Sequence, residues 1–334
     1  MVRPLNQNQF FGLKSKQKLK KIIFLNDDKY FQQYKVYCTN QGTRLVEEPF
    51  DCTLRLHKRI YKFIDNIETP DYLFSSTKGK SHIDNAKFHK DHDYVVTLDL
   101  SKFFPKCTFN YVRKFFLNKL KMSFVNANLL AQILTIDNSQ INLDNKVKEW
   151  YGKVEKKLKY PIPTVHIPTG SCISQKLAFL VYLDMFDDIY KLCQKKKIRM
   201  SVYVDDVVLS SNKRISKKTV KSIIYIFSKY GHEVNKSKIK FYSLNKPKKI
   251  TGIHIDKHNQ LKAPSKQHYS VIELQRQIDN DNVIDIKILN TILGKMRYIN
   301  NLEGTKFHQL IKYMVNVMTH VKNKTNNDIL KIKC

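Results

Sequence analysis

The sequence predicts an α+β fold, a mixed body of short strands and helices followed by a tail of helices alone. Three observations predict it. Hydrophobic residues make up 42% of the 334 positions, enough for a sizeable core. Short runs of β-branched and aromatic residues alternate with stretches whose apolar residues recur at helical spacing. Beyond Pro264 only the helical pattern remains. Nine glycines and nine prolines are few for this length, and neither a linker nor an internal repeat divides the chain. It reads as one continuous body of two or three subdomains.

Taken in order, Lys14 to Lys21 is a basic run that suits a solvated helix face or phosphate contact. Tyr94 to Leu100 is β-branched and apolar, like a buried strand. Phe109 to Leu120 has helical spacing, and Ser174 to Leu192 reads as one long helix carrying Leu177, Leu180, Val181 and Met185. Met200 to Ser210 reads as two β-runs pinched at an Asp pair. Lys217 to Tyr230 is helical and stops at Gly231, a residue suited to a C-cap. The tail reads as helices from His268 to Ile278 and from Ile284 to about Val321.

Sixty Lys and Arg against 29 Asp and Glu leave a net charge of +31. A compact body so charged repels itself unless it meets a polyanion, and nucleic acid is the first partner this implies. The longest apolar stretch, Leu177 to Leu183, is far short of the ~20 residues that span a bilayer. No signal-peptide pattern precedes it, so no membrane association is expected. The six cysteines (Cys38, Cys52, Cys107, Cys172, Cys193, Cys334) form no Cys-x-x-Cys pair. Reduced thiols and a cytoplasmic location are the expectation.

The informative acids sit inside apolar strands. Asp99 ends one such run, and Asp205-Asp206 interrupts another between Tyr203-Val204 and Val207-Val208-Leu209. A buried ionised carboxylate costs several kcal/mol unless it is paired or holds a metal. An exposed Asp-Asp turn without any ligand is the plainer alternative. Hard oxygen donors of this kind suit Mg²⁺. Three acids holding two ions about 3.5–4 Å apart is the arrangement of phosphoryl-transferring enzymes.

Tyr203-Val204-Asp205-Asp206 resembles the Tyr-x-Asp-Asp box of reverse transcriptases. Leu98 to Pro105 resembles their first palm motif. Ile167 to Ser174 resembles their Leu-Pro-Gln-Gly-x-x-x-Ser motif, and Gly231 to Lys238 the Gly-Phe-x-x-Asn-x-x-Lys stretch after the Asp pair. Asn85-Ala86-Lys87-Phe88-His89 and Ile250-Thr251-Gly252 are similar to two boxes of bacterial retron reverse transcriptases. The resemblance implies a right-hand polymerase. An N-terminal segment and fingers would occupy 1–92, a palm with an antiparallel sheet and helices 93–262 (interleaved with a fingers segment at about 113–165), and a helical thumb 263–334.

The resemblance also implies residue roles. Asp99, Asp205 and Asp206, with the Leu100 backbone carbonyl, are expected to hold two Mg²⁺ ions, for which Mn²⁺ can substitute. Arg44 is expected to grip the nucleotide triphosphate bidentately, with Phe103, Phe104, Thr169, Gly170 and Lys238 around the nucleotide. Phe104 would exclude a ribose 2′-hydroxyl, with Phe103 beside it pointing the other way. Asn85, His89, Thr251, Gly252, Lys295 and Arg297 are expected to bind RNA. Lys287, Lys306, Lys312, Tyr298 and Phe307 suit a thumb that tracks a duplex. Thr169 stands where such enzymes carry Gln, Cys38 and Thr39 where a fingers lysine is usual (Lys35 is the nearest), and Gln175 where Pro follows the motif's Ser.

The function so implied is RNA-directed DNA synthesis with deoxynucleotides. The template and primer would be a cognate structured non-coding RNA, and the product a branched RNA–DNA within an anti-phage retron system. A separate effector protein would be the partner, since the thumb uses the chain to its end. Another bacterial reverse transcriptase, of abortive-infection or group II type, is one alternative. A non-catalytic RNA-binding scaffold and an RNA-dependent RNA polymerase are the others.

Overall fold

A computed structural model of the chain describes residues 33–39, 44–158, 162–280, 286–316 and 318–319. The Lys14 to Lys21 run, residues 40–43 and Cys334 lie outside them. The chain forms two compact units that interleave in sequence. The first comprises Met1–Lys80, Leu98–Val207 and Ile215–Ile239; the second comprises Ser81–Thr97, Val208–Arg214 and Lys240–Cys334. A four-stranded sheet runs in the order Arg199–Tyr203, Asp206–Ser211, Tyr94–Asp99, Lys240–Tyr242. Its two inner strands are the two acid-bearing runs read from the sequence. Among the described residues no helix is long and apolar enough to cross a membrane.

In the first unit, Tyr34–Cys38 pairs antiparallel with Leu45–Pro49, with Cys38 opposite Leu45. Helix Asp51–Ile64 follows and buries His57 completely. One ring nitrogen of His57 meets Ser171 Oγ at 2.6 Å and the other meets the Ile133 carbonyl at 2.7 Å. Burial pushes its pKa down to about 4, so this histidine is a neutral core strut. The expected helix at Phe109 to Leu120 is α-helical over Phe109–Lys114 and then one π turn over Phe115–Lys119. The expected single helix from Ser174 is two, Ser174–Val181 and Leu183–Lys195. They divide at Tyr182, whose buried ring packs edge-on against His232 and whose hydroxyl donates to the Lys106 carbonyl at 2.8 Å. Helix Lys217–Lys229 starts on the Ser216 hydroxyl and is followed by Gly231 at φ +79°, which fits the expected C-cap.

The second unit opens with helix His82–His89, capped reciprocally by Ser81 and Asp84. Lys240–Tyr242 pairs antiparallel with Val95–Thr97. A small sheet, Lys248–Ile250, Ile253–Ile255 and Leu261–Lys262, precedes helices Ser265–Asn280 and Ile286–Glu303. The latter buries Leu289, Ile292, Leu293, Met296, Ile299 and Leu302, a three–four spacing that lays one stripe into the core with Ile250, Ile253 and Ile255. The expected continuous helix to Val321 is interrupted at Gly304, whose φ of +85° only glycine adopts freely. Helical structure resumes at His308.

Candidate active site

The site begins with a strained turn. Arg199–Tyr203 and Asp206–Ser211 are joined through Val204 and Asp205, and Val204 has φ +58°. A β-branched residue there costs about 1–3 kcal/mol and persists only where its surroundings over-determine it. Two bonds do so: the Val204 amide donates to Ser75 Oγ at 2.9 Å, and the Asp205 carbonyl accepts from the Leu100 amide at 3.0 Å. The end of the neighbouring strand is pinned in turn. The Asp99 carbonyl accepts from the Asn235 amide at 2.8 Å, and the Ser101 amide donates to the Glu233 carbonyl at 2.8 Å. Backbone hydrogen bonds therefore bring Asp99, the 205–206 turn and the Gly231 to Lys238 segment to one place.

Electrostatics follow from that convergence. Lys238 Nζ meets Asp99 Oδ1 at 2.9 Å. Asp206 is pushed up from 3.8 to about 7, first by burial and then by the charges of Asp205 and Asp99, with Lys238 opposing. Asp205 is also raised, chiefly by burial and also by Asp99; its own backbone amide, Lys238 and Arg44 pull it back. The place carries more negative charge than its two cations offset. Among the described residues, no three His, Cys, Asp or Glu side chains stand close enough together to hold a metal ion as placed. The donor chemistry, three half-buried hard carboxylates that repel one another, nonetheless fits a divalent cation.

Arg44 is exposed and immediately precedes the returning strand, its carbonyl accepting from the Thr39 amide at 2.9 Å. Phe104 is half-buried. Phe103 corrects the expectation of a nucleotide contact: it is 3% exposed and packs against Tyr182, Phe186 and His232, so it is a core residue behind the site. Thr169 and Gly170 sit against the Leu45–Pro49 strand: the Thr169 hydroxyl donates to the Leu45 carbonyl and accepts from the Glu47 amide. Lys35, nearest to the missing fingers lysine, lies over the Phe50 ring.

The residues expected to bind RNA divide. Asn85 and His89 are wholly buried, which corrects that expectation, because a side chain without solvent exposure cannot meet an RNA strand. His89 Nδ1 meets Ser210 Oγ at 2.6 Å, and the side-chain amide of Asn85 has no hydrogen-bond partner among the described residues. Thr251 and Gly252 form the turn between Lys248–Ile250 and Ile253–Ile255, with φ +45° and +87°. The Thr251 hydroxyl donates to the His82 carbonyl at 3.0 Å. Lys295 reaches Gln267 at 3.3 Å, and Arg297 is exposed.

Two residues that sequence reasoning passed over build this region. Ser75 holds the strained turn and left no readable signal. Glu47 did leave one: in Leu45-Val46-Glu47-Glu48-Pro49 the two-residue alternation of a strand puts it on the inward face with Leu45 and Pro49.

Comparison with known proteins accounts for this arrangement. The family described as reverse transcriptase (RNA-dependent DNA polymerase) matches residues 32–255, and the chain belongs to that family. Its fold is the right-hand polymerase fold, and its activity class is RNA-directed DNA polymerase. The chain is 23% identical over 290 residues to the Retron Ec83 reverse transcriptase of Escherichia coli, covering 85% of this chain and 86% of that one. It is 24% identical over 214 residues to the Retron Se72 reverse transcriptase of Salmonella heidelberg (strain 579083-10), covering 62% and 49%. Among solved structures, telomerase from Candida albicans matches with a TM-score of 0.45 at 13% identity, over 91% of this chain and 62% of that one. A foamy viral protease–reverse transcriptase with an RNA/DNA hybrid matches at 0.43 and 15%, over 86% and 30%.

Proposed function

We propose that this chain reverse-transcribes a cognate structured non-coding RNA into a branched RNA–DNA molecule, as the core of an anti-phage retron system with a separate effector protein. In this reading the fingers, palm and thumb fall at about 1–92, 93–262 and 263–334. The observation that carries the reading is the convergence of Asp99 on the 205–206 turn, with both acids of that turn titrating high. Asp99, Asp205 and Asp206, with the Leu100 carbonyl, would hold two Mg²⁺ ions. When bound, these supply activation of the primer hydroxyl and neutralisation of the triphosphate.

The chain's own residues do the rest. Arg44 grips phosphate oxygens with its planar fork. Lys238, now on Asp99, adds a point charge on the same side. Phe104 lies against the sugar and excludes a 2′-hydroxyl, and exposed thumb cations such as Arg297 follow the duplex backbone. The apolar strands around the acids keep the setting poorly hydrated, where fixed charges act most strongly.

The test is the nucleic acid that copurifies from cells, together with primer extension on it. The reading expects a DNA joined to one small RNA, and synthesis abolished by Asp205→Asn with Asp206→Asn. Equal synthesis by wild type and variant would overturn the metal assignment; bulk cellular RNA alone would overturn the retron template.

A further inference from the structure

We propose that Thr169 and Glu47 form a clasp that sets the position of Arg44, so that Thr169 is a positioning residue rather than a nucleotide contact. The inference deepens the polymerase reading and rests on it for the role of Arg44. Glu47 is wholly buried and lies three residues from the exposed Arg44. Four hydrogen bonds lock its strand to the Thr169–Gly170 loop. The Thr169 hydroxyl accepts from the Glu47 amide at 3.1 Å and donates to the Leu45 carbonyl at 3.0 Å. The Thr169 amide donates to Glu47 Oε2 at 3.0 Å, and the Gly170 amide donates to the Glu47 carbonyl at 3.0 Å.

The other carboxylate oxygen is equally engaged. Glu47 Oε1 meets His166 Nε2 at 3.0 Å, accepts from the Tyr151 hydroxyl at 3.0 Å and accepts from Asn138 Nδ2 at 3.3 Å. His166 Nδ1 faces the Pro163 carbonyl at 2.7 Å, so the ring is held from both sides. A buried acid with this many partners is a rigid anchor.

Gly170 shows how close the approach is. A Cβ there would lie 2.8 Å from the Glu47 carbonyl oxygen and 3.0 Å from Val46 Cγ1, and the first of these is backbone that cannot turn aside. The loop has therefore traded reach for contact. A long Gln at position 169 would extend outward, whereas the short Thr hydroxyl turns onto the strand. Arg44 is the residue just before the clasped Leu45 carbonyl, and its charge acts on Asp205. Holding Leu45 holds the base of the Arg44 side chain.

The experiment compares wild type, Thr169→Val, Thr169→Ser and Arg44→Ala in the full chain. Valine keeps the shape and removes both hydroxyl bonds; serine keeps the bonds. Thr169→Val is expected to raise the KM for deoxynucleotides about tenfold with kcat changed far less, Thr169→Ser to recover most of it, and Thr169→Val to add little on top of Arg44→Ala. Hydrogen exchange of the 34–49 strand pair is expected to quicken in Thr169→Val without any substrate present. An unchanged KM with unchanged exchange would overturn the clasp. Full additivity with Arg44→Ala would overturn its action through Arg44. Should Thr169→Val fail to fold, Thr169→Ala, which adds no bulk, is read in the same way. A wild-type chain that makes no DNA would overturn the polymerase reading instead, and exchange still decides the clasp.

Discussion

The first unit holds two carboxylate sites of opposite character. At the 205–206 turn, burial and neighbouring acids lift Asp206 to about 7, with only Lys238 in opposition. At Glu47, burial acts in the same upward direction, yet His166, the Thr169 amide and Asn138 outweigh it and hold the carboxyl below its usual range. The same functional group is strained in the half-buried place and satisfied in the wholly buried one. The difference teaches that burial alone does not mark a catalytic acid. What marks it is burial with too few internal partners, because that deficit is what a ligand can fill.

Substitutions can break that contrast or sharpen it, and the largest effect is expected on synthesis. Asp205→Asn should slow single-turnover primer extension by about 10²–10³-fold or more, whereas Glu47→Gln should act on nucleotide affinity before rate. Stability should invert the ranking. Glu47→Ala takes the acceptor from His166 Nε2, the Tyr151 hydroxyl, Asn138 Nδ2 and the Thr169 amide in the interior and should cost about 3–5 kcal/mol in urea unfolding. Asp206→Asn relieves repulsion and should leave the EDTA-treated protein at pH 8 as stable or more so. Gly170→Ala should cost about 1–3 kcal/mol by the same measurement, because the strand must move off the loop.

The pH dependence of the urea midpoint in EDTA gives the smallest and most specific effect. Asp206 binds its proton more tightly in the folded state, so its contribution falls as pH rises from about 4 towards 7. Glu47 binds its proton less tightly when folded, so its contribution is present above the ordinary glutamate range and fades as pH drops through it. Asp206→Asn should flatten the first slope and leave the second. Flattening of both by one variant would mean the two sites are not separate.

Much of this was legible in the sequence, and for physical reasons. Acids breaking β-branched runs are costly unless they are used, so Asp99 and Asp205-Asp206 stood out, and backbone pairing did bring them together. Strand and cap signals at Tyr94 to Leu100 and at Lys217 to Gly231 are local, and the elements form where those signals lie. What depends on distant packing was not legible. Nothing near Tyr182 signals that the long helix divides there, since the division accompanies packing on His232 and Lys106. Phe103, Asn85 and His89 carry the right letters for a site, but their side chains point into the interior. Thr169 reads as a shortened nucleotide contact until its partners on a strand more than a hundred residues earlier are seen. The strand's inward period at Glu47 was the one available warning.

The most direct measurement is the melting temperature in Mg²⁺ against EDTA at pH 8 for wild type, Asp206→Asn and Glu47→Gln. If the 205–206 turn is the cation-dependent acid site and Glu47 the self-contained one, Mg²⁺ raises the midpoint of wild type and Glu47→Gln and leaves Asp206→Asn unmoved. An equal Mg²⁺ shift in wild type and Asp206→Asn would contradict the account.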